Sequence, residues 1–469
     1  MSGIDVLNIA KDSLLSHQTA INLTGTNIAN ANTPGYSRQR AAFSTLVQSV
    51  EIAGIERIYD QFLGVQLNEQ ANDLGDSEAK KDALGRIEMT FNETDGGGIN
   101  ELLNKFWGAW DDLSANPSGQ AERQTLVSVS QSLTSMFRSY SSELRSAQYD
   151  ANTRIPVLVD HVNDYASDIA DINARILQAG TEDTDEPGLN SLRDKRAKLL
   201  SELAEIVDFH SIKDSKDSIS VFLSNGMSLV EGGETWELDV VTENHASDPS
   251  FYDVVFKDDT KDNSDKEVIN DFIKKGKMAA FIDVRDVMVS NADKTGYMDK
   301  LDALAAAIVK EVNDQHKLGY DMNQNLGEDF FVFDIDPEVK EARYMKVSAD
   351  IIADINKIAA SETVNGDGGN AVSMNAIKDE LTMNDTSTFS AYYSSFVAQV
   401  GQDVAYVNRS FDHHTNLMSQ LTNRREGISG VSIDEEMMNL IRYQTGYNAS
   451  ARLFGIAQEL ADTLMNLVK

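Results

Sequence analysis

The chain has no cysteine among its 469 residues. Disulfides, thiolate metal sites and cysteine nucleophiles are therefore excluded. The absence fits a protein that has to unfold before export, where cross-links would obstruct passage, and it also fits chance. Cationic residues are scarce: Lys and Arg number 41 against 75 Asp and Glu, a net charge of −34. That balance repels nucleic acid and anionic membrane, so neither is an expected partner. A solvated acidic surface is the simplest reading. No segment approaches the roughly 18 consecutive apolar residues of a membrane span. The start, MSGIDVLNIAKDSLL, lacks a basic leader and an unbroken apolar run, so no secretory signal is visible. An extracellular destination would need a route that keeps the N-terminus.

Signatures of chemistry are also lacking. The histidines are His17, His161, His210, His245, His316, His413 and His414, and none stands in a His-Glu-x-x-His arrangement. His413 and His414 are adjacent in a helical pattern and point roughly 100° apart, which makes a poor chelate. His316, following Asn313, reads as a satisfied structural histidine. Asp258, Asp259, Asp262 and Asp265 lack the twelve-residue calcium-loop pattern and read as a solvated loop. The glycine runs 96–98 and 366–369 lack the Gly-Lys-Ser/Thr ending of a phosphate loop. No nucleophile–base constellation is visible. Neither enzymatic activity nor a cofactor is expected.

What the chain does have is an apolar stripe of seven-residue period at each end. Leu7, Leu14, Ile21 and Ile28 form the first, and Ile433, Leu440, Tyr447, Phe454, Ala461 and Val468 the second. Such a stripe lies along one side of a helix and asks for a partner. Two of them imply termini that pair with each other and with neighbouring molecules, as in a self-assembling subunit. Each segment alone is marginal, so both termini are expected to be largely disordered in the monomer and to order only in the polymer.

Between the stripes, helical spacing predicts helices over 3–31, 59–91, 99–114, 120–178 (with Pro156 kinking or dividing it), 189–207, 294–317, 387–426 and from Ser432 onward. Ser432 and Glu435 form a capping box. Gly427 and Gly430 read as breaks. Residues 36–58 read as extended or irregular. From about 208 to 290 short apolar runs alternate with turns: Ile219–Leu223 before the hairpin signal Asn225-Gly226, then 236–241 and 252–256. Phe330–Phe333 reads as a buried strand. The expected fold is mainly α with a β-rich inserted domain, elongated and multidomain. The expected division is 1–58 with 429–469 as terminal assembly helices and turn, 59–207 with 345–428 as a helical bundle, and 208–344 as a β-rich outer domain.

Motifs distributed along the chain then add a resemblance. Asn27-Ile28-Ala29-Asn30-Ala31-Asn32-Thr33-Pro34-Gly35-Tyr36-Ser37-Arg38-Gln39 resembles the signature of bacterial flagellar axial proteins, and its Gly-Tyr-Ser-Arg form resembles the hook-associated, FlgK-type family of hook–filament junction proteins. The closing run through Asp434-Glu435-Glu436, Tyr443-Gln444, Tyr447 and Ala449-Ser450-Ala451-Arg452 is similar, as are 276–286 and Val312-Asn313, His316 and Gly319-Tyr320-Asp321 in the middle. Residues 208–275 match nothing in the family clearly.

The resemblance implies a structural subunit between hook and filament, exported unfolded without a cleaved signal and located outside the cell. Its implied partners are further copies in a ring, the hook protein, a second junction protein on the filament side, and an export chaperone. The assembly residues are then the two stripes with Asn30, Asn32, Thr33, Pro34, Gly35, Tyr36 and Arg38, where Arg38 and Arg40 could pair acidic neighbours. The chaperone would cover Leu440, Tyr447, Phe454, Leu460 and Leu467. A rod or hook subunit is the alternative within the class. A secreted enzyme with coiled-coil ends is the alternative outside it.

Overall fold

The structure is a computed structural model. It describes residues 3–46, 49–92, 97–181, 188–242, 245, 248–258, 260–334, 340–364, 366–383 and 385–467. In chain order it runs α1 (Gly3–Ala29), the hairpin β1 (Gln39–Leu46) and β2 (Ser49–Arg57), then α2 (Gln61–Phe91), α3 (Ile99–Ala115), α4 (Gln120–Thr181) and α5 (Leu189–Ile206). Strands β3 (Phe209–Lys213), β4 (Ile219–Leu223), β5 (Ser228–Glu231), β6 (Glu234–Thr235), β7 (Leu238–Val241) and β8 (Asp253–Phe256) follow. Next come α6 (Gly276–Asp283), α7 (Tyr297–His316), β9 (Phe331–Phe333), β10 (Met345–Val347), α8 (Ala349–Ala353) and α9 (Gly369–Ala376). The chain closes with α10 (Phe389–Ser429) and α11 (Ile433–Leu467).

The spine is α4, 62 residues long, which at 1.5 Å per residue spans roughly 90 Å. Pro156 lies inside it without dividing it. Buried Ile155, Val159, Val162, Ala166 and Ile169 continue the core-facing side across the proline, so packing on both sides holds the helix together where one backbone bond is missing. Gly427 likewise falls inside α10, which ends at Ser429. The segment read as extended or irregular is a two-stranded antiparallel hairpin with a bulge at Ala42/Phe43.

One contiguous apolar core joins α2–α10 and reaches β4, β5, β7 and β8. Its aromatic centre is α3: Trp107 stacks on Phe389 with ring centroids 6.3 Å apart, and Phe106 and Trp110 pack against Phe330. The strand-rich stretch has the expected hairpin, with Gly226 at φ +83° in the turn, and it also contains α6, which alternation of short apolar runs did not reveal. Two asparagines of α4 bind the strands. Asn163 donates to Leu238 O (2.9 Å) and accepts from Leu238 N (2.8 Å). Asn173 donates to Ile219 O (2.8 Å) and Gly232 O (2.9 Å) and accepts from Ile219 N (3.2 Å). Each amide offers a donor and an acceptor, as a strand's peptide group would. His316 is fully buried: Ala359 N donates to its Nε2 (2.9 Å), so Nδ1 carries the proton toward Glu328 O (2.6 Å). It is a satisfied structural histidine, as expected.

Candidate functional site: where the chain ends meet

The chain's two ends pack along each other as α1 and α11. α1 stops at Ala29 because the next residues turn the backbone back. Asn30 N donates to Thr26 O (3.1 Å), Thr33 N to Asn30 O (2.9 Å) and Tyr36 N to Thr33 O (3.2 Å). Gly35 takes φ +83°, a left-handed conformation that side chains disfavour. The returning strand then touches three parts of the molecule within three residues. Ser37 N donates to Asp194 Oδ2 of α5 (3.1 Å), Arg38 N to Ser429 O of α10 (2.8 Å), and Gln39 N to Asn27 Oδ1 of α1 (3.1 Å).

Asn27 is the hub of this knot. It is buried, its amide donates to Gln39 O (2.8 Å) and Glu436 Oε2 (3.0 Å), and its oxygen also accepts from Tyr36 OH (2.7 Å). Its hydrogen-bonding capacity is thereby used in full. Arg38 donates from Nη1 to Glu435 Oε2 (2.8 Å), and its Nε lies 3.0 Å from Glu436 Oε1 in an ionic contact without good hydrogen-bond alignment. Glu436 is only 2 % exposed. Arg57 Nε donates to Asp194 Oδ1 (2.7 Å), tying the hairpin to the body. Burial, with Asp194 and Glu436 adding to it, pushes the Tyr36 phenol up to about 12. It therefore stays a donor to Asn27 across the physiological range. These groups hold geometry, and they include no nucleophile paired with a base.

Farther along the helix pair, His17, Phe43 and Tyr443 form an aromatic cluster with centroids 5.9–6.4 Å apart. A Cβ on Gly446 would sit 2.6 Å from the His17 ring, so the glycine gives that ring its present place against α11. Burial lowers the His17 pKa. The seam is built from small and polar groups. Ala10, Ser16, Ala20, Thr24 and Asn27 are buried on α1, and Glu436 and Ala457 on α11, with Tyr443 and Ser450 half-buried between them. Positions 436, 443, 450 and 457 keep the seven-residue period, three residues out of phase with the stripe read from the sequence.

The family model described as "Flagellar hook-associated protein FlgK helical domain" matches residues 84–331. The chain belongs to this family. A second family model, "Flagellar basal body rod FlgEFG protein C-terminal", matches 427–467, the end of α10 and nearly all of α11. Flagellar hook-associated protein 1 of Bacillus subtilis (strain 168) is 28 % identical, over 98 % of this chain and 97 % of its own. The protein of the same name from Escherichia coli (strain K12) is 26 % identical, over 98 % and 99 %. The flagellar hook junction protein FlgK from Burkholderia pseudomallei shares the fold, with a TM-score of 0.68 at 15 % identity, over 78 % of this chain and all of that one. The chain is a structural component of the bacterial flagellum with the elongated, mainly helical FlgK-type fold.

Within that fold the stripe residues flank the seam. Leu7, Leu14, Ile21 and Ile28 are half-buried, as are Leu440, Phe454 and Ala461, while Ile433, Tyr447 and Leu460 are exposed. Val468 and the side chain of Leu467 lie outside the described residues. Asn30, Gly35, Tyr36 and Arg38 form the turn and the knot, and Asn32, Thr33 and Pro34 lie exposed on its rim. Arg38 and Arg40 pair with acids of their own chain, Arg40 with Glu56 across the hairpin at 2.8 Å. The capping box is half formed: Glu435 N approaches Ser432 Oγ at 3.5 Å, while the Glu435 carboxylate goes to Arg38. Asn27 and Glu436 stood inside the quoted motifs, and only the geometry reveals them as the centre. Asp194 carried no sequence signal.

Proposed function

We propose that this chain joins hook to filament as one subunit of a ring, with the two end helices as its assembly element. The observation that carries the reading is the exposed apolar surface of α11. Among the described residues, Ile433, Met437, Met438, Ile441, Leu453 and Ile456 on α11 are all well exposed, although nothing in one chain covers them. The half-buried stripe residues are the flanks on which further helices would pack. The knot at Asn27, Tyr36, Arg38 and Glu436 sets the angle between this element and the body. The hook protein on one side and a second junction protein on the other are the partners this placement requires. An export chaperone would cover the α11 surface before assembly, including Leu440, Tyr447, Phe454, Leu460 and Leu467. The chain leaves the cell with its N-terminus intact. Its role is structural, without catalysis.

Electron microscopy of cells lacking the gene, with the medium assayed for flagellin, tests this. Bare hooks and released flagellin are expected. Missing hooks would move the subunit to the rod or hook, and normal filaments would overturn the reading.

A further inference from the structure

A cleft of about 540 Å³ opens beside the knot. One wall is the side of α1 that carries Thr19 and Thr26, the floor is the turn at Gly35 and the hairpin at Ile55, and the other wall is α5 with Lys195 and Lys198. Asp194, the carboxylate in this wall, is already engaged by Arg57 and Ser37. Lys198 makes one loose contact with Glu202 (3.4 Å), and Lys195 has no ion pair among the described residues. The cleft is thus partly apolar with a cationic rim, on a chain whose net charge is −34.

The complementary surface lies on α11. Asp434, Met437, Met438 and Ile441 stand at i, i+3, i+4 and i+7, which places them on one face of the helix. All four are exposed, and Asp434 has no ion pair among the described residues. Its neighbours Glu435 and Glu436 are held by Arg38, so Asp434 is the acid at this end that remains available. The face points away from the seam positions Glu436 and Tyr443, by roughly 100–200° around the helix.

We infer that the first turns of α11 of a neighbouring copy seat in this cleft, with Met437, Met438 and Ile441 against Leu23, Pro34 and Ile55 and Asp434 toward Lys195 and Lys198. This deepens the reading of the chain as an assembling junction subunit and rests on it. The cleft and the α11 face are different surfaces of one molecule, so the contact is heterologous, and heterologous contacts propagate into rings or helical arrays. In the ring each copy gives one face and receives one. The opposed charges fix the register while the thioether and aliphatic chains fill the space.

The absence of native cysteine makes the test clean. Two variants, Ser191→Cys in the cleft wall and Met438→Cys, are co-expressed in cells lacking the native gene, and isolated hook–filament structures are treated with a short thiol-reactive cross-linker. A covalent dimer joining one variant to the other, absent with either alone, is the expected result. Attached filaments without that dimer overturn the inference while leaving the junction role standing. Failure of the junction role itself would show separately, as normal filaments in the strain lacking the gene. A charge swap gives a second readout. Lys195→Glu with Lys198→Glu should leave about tenfold fewer cells with filaments, with the denaturation midpoint of the soluble protein unchanged. Adding Asp434→Lys should restore them. Wild-type assembly by the double variant, or no restoration by the third change, would overturn the pairing.

Discussion

The body and the terminal unit of this molecule bury different things. The body closes over one core of large aliphatic and aromatic side chains that extends from α2 to α10. Among the described residues, the terminal unit has a small apolar cluster of Ala20, Leu23 and Ala41, with Ile52, Ile55 and Tyr443 against it. Its seam is held by small side chains, a glycine and a polar knot, while Ile433, Met437, Met438, Ile441, Leu453 and Ile456 face outward. The body therefore has a large core of its own, whereas the terminal unit is specified in shape and buries little apolar surface. A polymer subunit needs this division, since a surface reserved for neighbours cannot also be spent on its own core.

The contrast breaks first under core deletion. Phe106→Ala, at the centre of the body's aromatic cluster, should cost about 3–5 kcal/mol, read as a shift in the urea midpoint of tryptophan fluorescence. No single truncation in the α1–α11 seam should approach that, because the buried groups there are small. The knot comes next. Arg38→Ala leaves the buried Glu436 carboxylate without its cation, held by the Asn27 amide alone, and should destabilise the α1–α11 pair by about 1–3 kcal/mol. Amide exchange should accelerate over 27–39 and the first turns of α11, and remain unchanged in α4. Uniform acceleration would mean that the two regions unfold as one, and the distinction would fall.

Titration sharpens the same comparison. Burial depresses His316 in the body to about 4, while an unfolded histidine titrates near 6.5. Its contribution to stability is whole above pH 6.5 and is lost as the pH falls to about 4, on the order of 3 kcal/mol in all. His17 is depressed in the same direction by burial alone, so the terminal pair also loosens below about pH 6.5. Urea midpoints followed by Trp110, whose ring centroid is 6.3 Å from that of His316, should fall across this window for the body. Replacing His17 by Gln should flatten the pH dependence of exchange in α1 and α11 and leave the body's curve as it was.

Much of the body was legible because its signals are local. Long apolar periods gave α2, α3, α4, α5, α7 and α10 to within a few residues, and Asn225-Gly226 gave a hairpin. Helix α6 was missed because its eight residues are too short to establish a period among strands. The fate of Pro156 was open because the packing that carries α4 across it comes from distant elements. In the terminal unit the seven-residue period was legible and its phase was not. Large residues such as Leu440 and Phe454 draw the eye to their own line. The buried side of α11 instead runs along Glu436, Tyr443, Ser450 and Ala457, most of them small or polar. Asp194 shows the remaining limit: a carboxylate on an amphipathic helix reads as solvent-facing until the fold brings Ser37 and Arg57 to it.

The smallest effect on stability should come from the residues proposed to meet a neighbouring copy. Met438 and Ile441 are 64 % and 59 % exposed, so Met438→Ser and Ile441→Ser should change the stability of the soluble chain by no more than about 0.5 kcal/mol. The same substitutions remove the apolar atoms offered to a neighbour, and filament attachment should fall in cells carrying them. Energy and phenotype are then uncoupled in the terminal unit, whereas Phe106→Ala links them through folding. A large loss of stability from Met438→Ser would show that α11 buries this face within its own chain. The terminal unit would then be a second finished core, and the difference between the two regions would be one of size only.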